Sequence, residues 1–110
     1  MTIEFSILGQ EFVALNGGPD FKFNESVSFA INCRTQEEID YYWEKLPADG
    51  GKTSVCGWLS DKFGLSWQIN AAALDEMLKT GSSEQRSRVM QAMMQMKKLD
   101  IATLEAAYAG

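Results

Sequence analysis

The chain contains no histidine. That removes the commonest general base, the commonest zinc ligand and every Ser–His or Cys–His nucleophile pair. Glu37, Glu38, Asp40 and Glu44 fall off the apolar stripe of a predicted helix and read as solvated surface. Glu11 could reach a site, but no second carboxylate is paired with it in the sequence. Cys33 and Cys56 lack metal-ligand spacing and are too few for a disulfide scaffold. One disulfide is open to them, but two free thiols in a reducing cytoplasm is the favoured reading. Cys56 has no basic neighbour in sequence to lower its pKa, so it is not expected to act as a nucleophile. Gly17-Gly18-Pro19 lacks the G-x-G-x-x-G context of a nucleotide site and reads as a loop.

The polar residues with the most informative placement lie in VCGWLSDKFGLSWQIN, residues 55–70. Two apolar runs flank Ser60-Asp61-Lys62-Phe63-Gly64, as in a β-hairpin. On the second run Ser66 and Gln68 share one face, while Leu65, Trp67 and Ile69 share the other and are expected to pack under helices. Trp58 and Cys56 share a face of the first run. Upstream, Val27–Cys33 alternates in the same way. Val27, Phe29, Ile31 and Cys33 face one side; Ser28, Ala30 and Asn32 face the other.

The remaining elements must hold these strands in place. Thr2–Leu8 alternates Ile3, Phe5 and Ile7 with polar residues, Gly9-Gln10 reads as a turn, and Glu11–Asn16 reads as the return strand. Thr35 is a good N-cap, with Glu38 placed to complete a capping box. Ile39, Tyr42, Trp43 and Leu46 then form one helical stripe that ends at Pro47. Ala71–Lys79 reads as a short helix closed by Gly81. Ser82 or Ser83 caps a further helix over Glu84–Lys97, whose Val89, Met93 and Met96 form a stripe with Met90 and Met94 alongside. These methionines are expected in packing or a dimer contact. Asp100 caps a final helix, with Leu99 and Leu104 spaced as a hydrophobic staple. Strands dominate the first 70 residues and helices the rest, which predicts an α+β domain with helices on one face of a sheet. Gly9–Asn16 and Gly64–Asn70 share a glycine–aromatic–asparagine pattern, which hints at two copies of one β-rich module.

The 110 residues suit a single domain, and 45% of them are hydrophobic. The net charge is −5, the balance of 10 basic and 15 acidic residues. That argues against a nucleic-acid partner, whose phosphates call for a basic patch. No apolar run approaches the roughly 20 residues that span a bilayer, so no membrane partner is expected.

Three blocks, EFVALNGGPDFKFNESVSFAINC, TQEEIDYYWEKL and CGWLSDKFGLSWQIN, together resemble the PhnB-like branch of the glyoxalase/bleomycin-resistance (vicinal-oxygen-chelate) superfamily. The closing VMQAMMQMKKLDIATLEAAYAG resembles the helical tail of that branch. Many of its members carry the 3-demethylubiquinone-9 3-methyltransferase label. The resemblance implies a curved mixed or antiparallel sheet built from one β-α-β-hairpin module, with an extra N-terminal hairpin and a helical C-terminal tail. It also implies that the leading part of a first module has no counterpart before Met1. The superfamily's metal-binding histidine falls on Ser28, and its metal-binding glutamate falls on Gln68.

The expectation is therefore a small-molecule binding or sequestering protein without metal or cofactor, cytoplasmic and homodimeric. Its candidate pocket wall comprises Gln68, Ser66, Ser28, Asn32, Trp58 and Glu11. No catalytic residue is assigned. The rival readings are an enzyme of the superfamily (a metal-assisted lyase or dioxygenase, or the inherited methyltransferase) and a structural interaction domain.

Overall fold

A computed structural model describes residues 1–110. Five of the six strands and all four helices follow the expected order; the two-residue strand at Lys52–Thr53 is an addition the sequence pattern does not predict. The first two strands, β1 (Thr2–Ile7) and β2 (Gln10–Leu15), form an antiparallel hairpin of their own. Its turn is Leu8-Gly9, one residue earlier than the sequence suggests. Both turn residues have positive φ, 50° and 82°, as a two-residue hairpin loop with the right-handed strand twist requires.

The second sheet holds β3 (Ser28–Cys33), β4 (Lys52–Thr53), β5 (Trp58–Ser60) and β6 (Ser66–Ala71). Its strand order is β3-β6-β5-β4. The β3–β6 pair is parallel and the other two pairs are antiparallel, so the open curved sheet is mixed. Helix α1 (Gln36–Lys45) makes the crossover from β3 toward the hairpin strands. The Thr35 hydroxyl accepts from the Glu38 amide at 3.1 Å. The reciprocal half of the expected box is not formed there. The complete capping box is Ser82 with Gln85, at the start of α3.

The last helices are α2 (Ala72–Thr80), α3 (Ser83–Met94) and α4 (Ile101–Ala109). Gly81 ends α2 with an ordinary φ of −76°. Its glycine is required by space: a Cβ there would lie 2.7 Å from the Met77 carbonyl oxygen. Helix α3 stops three residues short of the expected Lys97. Beyond it the chain turns so that the Met96 and Lys97 carbonyls accept from the Cys56 and Gly57 amides, at 2.9 and 2.8 Å. Gly57 has φ 84°, and a Cβ on it would meet the Ile69 carbonyl oxygen at 2.8 Å. The tail is thus bound to the turn before β5 through the backbone. Asp100 caps α4 as expected, accepting from the Thr103 amide at 3.0 Å.

The core lies between the helices and one face of the second sheet. Its fully buried side chains include Cys33, Ile39, Ile69, Val89, Leu99 and Leu104. This is the Ile31–Cys33 and Ile69–Ala71 face, as the alternation predicts. Coverage fades toward the other end of the same face. Phe29 is exposed and packs its ring on Trp67, 5.6 Å between centroids. Trp67 is therefore half-buried at the rim of the core rather than within it.

The N-terminal hairpin has no such cover. Ile3, Phe5, Val13 and Leu15 are all exposed, and no strand of the second sheet pairs with it. A compact chain of this length would have a radius of gyration of about 13 Å. The observed 16.5 Å, with a long axis of 55 Å, reflects the hairpin standing away from the packed body. No helix is long and apolar enough to cross a membrane.

Candidate functional site

The face of the second sheet opposite the helices is polar, and one turn sets its register. Asp61 Oδ1 accepts from the Phe63 amide at 2.9 Å and from the Leu65 amide at 3.0 Å. Asp61 Oδ2 accepts from Trp67 Nε1 at 3.0 Å. Gly64, at φ 88°, closes the turn by donating its amide to the Asp61 carbonyl. A carboxylate that accepts three N–H donors fixes the turn, and the turn fixes which residues of β5 and β6 face each other.

Two transverse rows result. In the first, Lys52 pairs with Ser60, Ser60 with Ser66, and Ser66 with Ser28. In the second, Trp58 pairs with Gln68, and Gln68 with Ala30. Paired residues on neighbouring strands point to the same side. Four candidates from the sequence, Ser28, Ser66, Gln68 and Trp58, therefore occupy one surface. Asn32 lies further along that face of β3, opposite Asn70. Glu11 is not with them. It belongs to the separate hairpin, in a hollow of about 320 Å³ that Glu4 also lines. That second carboxylate escaped the sequence reading because it lies on the opposite strand, diagonally across the ladder.

The two rows are joined by a side-chain bond. Gln68 Nε2 donates to Ser28 Oγ at 2.9 Å across the parallel β3–β6 pair. The bond points the amide nitrogen toward β3 and leaves Gln68 Oε1 as a free acceptor. It also leaves the Ser28 hydroxyl hydrogen free to donate. Ser66, between them and Ser60, is only 3% exposed.

Beside this wall is a hollow of about 520 Å³, lined by Trp58, Ser60, Ser66, Lys52, Val55 and Glu25 among others. Its size falls within the usual range for small-molecule sites, about 300–1,000 Å³. Sequence reasoning missed Lys52, Ser60 and Glu25. Strand β4 is two residues long and has no periodicity to detect. Ser60 alone carries a usable signal, since it lies two residues from Trp58 on one strand.

The donors do not fit a divalent metal. A neutral amide and a hydroxyl, already bonded to each other, make a poor set without carboxylate or imidazole support. No three or more Cys, Asp or Glu side chains gather anywhere in the chain as a metal cage would require. Cys33 is buried beneath α1, and burial, with the nearby Glu38 carboxylate, pushes its thiol up. Cys56 is half-exposed and donates weakly from Sγ to the Met93 carbonyl oxygen at 3.6 Å. Both thiols are free.

The family model described as 3-demethylubiquinone-9 3-methyltransferase matches residues 1–70, well over half of the chain. The chain belongs to this family. The match covers the hairpin, the polar face and the Asp61 turn. A solved relative is the PhnB protein from Bacillus cereus, 33% identical, with a TM-score of 0.55. The alignment covers 66% of this chain and 64% of the Bacillus chain, so this chain spans somewhat under two thirds of that relative's length. The relative supports the PhnB-like, glyoxalase-type fold read from the sequence. Among curated proteins none matches the chain.

Proposed function

We propose that the polar face of the second sheet is the wall of a metal-free site, and that the chain binds or sequesters a small polar molecule there. The Gln68–Ser28 hydrogen bond carries this reading. The superfamily resemblance puts metal ligands at these two positions. Here they hold a neutral pair that satisfies itself and still presents one acceptor and one donor outward. The test is calorimetric titration with Mn, Ni, Zn and ferrous ions. The expected result is no tight binding at this face. Binding tighter than about 1 μM that Gln68→Ala abolishes would overturn the reading.

The chain would act as a homodimer. In support, the hairpin leaves Ile3, Phe5 and Leu15 exposed and both of its edges unpaired. A lone two-stranded hairpin is marginal in water, and a second copy is the simplest cover. Sedimentation equilibrium is expected to give twice the chain mass. A monomer at every concentration would contradict this.

The family's name favours one other reading, transfer of a methyl group. The sequence has no glycine-rich strand-to-helix turn of the common S-adenosylmethionine fold. Equilibrium dialysis with radiolabelled S-adenosylmethionine separates the readings: retention by the protein would favour the methyltransferase.

A further inference from the structure

Lys52, Ser60 and Ser66 form an unbroken row across β4, β5 and β6, on the face that carries Gln68. All three line the 520 Å³ hollow with Trp58 and Val55. Lys52 has no carboxylate within ion-pair reach; the chain's one ion pair joins Lys98 to Asp40 at 2.8 Å. Neither serine hydroxyl in this part of the row is engaged by another side chain, whereas Ser28 is already held by Gln68. An edge-strand lysine often serves only to deter pairing with another sheet. Here it is aligned with two hydroxyl donors, one of them almost wholly covered, beside an aromatic ring.

We propose that this row binds the oxyanion of a small planar acid, whose apolar body lies against Trp58 and Val55. The proposal rests on the reading of this face as a small-molecule site. An ammonium and two hydroxyls supply up to three charge-assisted hydrogen bonds to one carboxylate. The indole supplies the flat apolar surface. Glu25 also lines the hollow, and its carboxylate opposes any anion, but a dianion most strongly, so the row is expected to prefer a monoanion held close to Lys52. The chain's net charge of −5 works against anions in general, so the selectivity has to be local to Lys52.

The experiment is an amide-resolved NMR titration of the ¹⁵N-labelled chain with sodium benzoate and, separately, with benzamide, which has the same shape and no charge. Benzoate is expected to shift the amides of Lys52, Ser60 and Ser66 with a dissociation constant below about 10 mM, the weak affinity proper to so small a probe. Benzamide is expected to bind about ten-fold more weakly, and Lys52→Met to remove that difference. Lys52 is exposed, so this variant keeps the fold, and an otherwise unchanged spectrum verifies it. Ser66→Ala provides the second variant and is expected to weaken benzoate more than benzamide. Equal binding of the two probes, or a preference that survives Lys52→Met, overturns the oxyanion assignment and leaves the small-molecule reading standing. If neither probe shifts any residue of the polar face, the oxyanion assignment fails, while the small-molecule reading, which rests on the Gln68–Ser28 pair, is left to its own metal titration.

Discussion

Gln68 and Ser28 stand forty residues apart in sequence and 2.9 Å apart in space, the amide of one donating to the hydroxyl of the other. The bond crosses a parallel strand pair, so it depends on the α1 crossover that brings β6 beside β3. Removing one partner leaves a half-buried polar group unpaired, and removing both does not. A double-mutant cycle with Gln68→Leu and Ser28→Ala is expected to give a coupling energy of about 1 kcal/mol in urea denaturation. A coupling near zero would mean that the bond does not order this face.

Asp61 is the residue on which the register of the polar face depends. Asp61→Ala removes the acceptor for two backbone amides and for the Trp67 indole. The expected cost is about 2–3 kcal/mol. Amide NMR shifts of Ser60 and Ser66 are expected to move more than those of α4. Loss of stability without movement at Ser60 and Ser66 would show that the turn does not position the row.

The fold was largely legible from patterning. Alternation in Val27–Cys33 and the Ile39–Leu46 stripe marked the layers, and Asp100 marked the last helix. The site was legible only in part. Ser28, Ser66 and Gln68 could be placed on one face because a strand has a period of two. Their partner Lys52 could not, because two residues have no period. The docking of the tail on Cys56 and Gly57 was also hidden, since backbone carbonyls of Met96 and Lys97 make it and any residue type has them. The solvent-facing hairpin runs against its own alternation: Ile3, Phe5 and Ile7 share a side that nothing in this chain buries.

The two cysteines are expected to differ in reactivity. Cys33 is buried and its thiol is held up by burial, with the Glu38 carboxylate adding to the effect. In the native protein a disulfide reagent at about pH 8 should label Cys56 alone, and Cys33 only on unfolding. The linkage has a definite sign. Below the ordinary thiol pKa of about 8.5 both states are protonated, and the native preference for the neutral thiol is fully present. As pH rises through that value the unfolded chain ionises first, so stability falls. Labelling of both thiols at equal rates in the native state would contradict the burial of Cys33.

Asp40 ties α1 to the tail. Its carboxylate is held below the usual range, first by the hydrogen bond from Lys98 and then by that from Gln36. Gln36 itself spans the same junction, donating to the Leu99 carbonyl and accepting from the Ile101 amide. A depressed carboxylate pKa stabilises the fold at pH above its unfolded value, about 3.9. That contribution is lost as pH falls through the lower folded value. Urea midpoints measured down the acid limb are expected to fall less steeply for Asp40→Asn than for the natural chain. Identical acid limbs would show that Asp40 is not linked to folding.

The metal-free wall is tested most directly by paramagnetic broadening. Manganese is added to the ¹⁵N-labelled chain and to a Ser28→His/Gln68→Glu double variant, and the β3 and β6 amides are followed. The account predicts no selective broadening around residues 28 and 68 in the natural chain, and its appearance once imidazole and carboxylate replace the neutral pair. Selective broadening of Ser28 and Gln68 in the natural chain, at manganese concentrations that leave the other amides sharp, would contradict it.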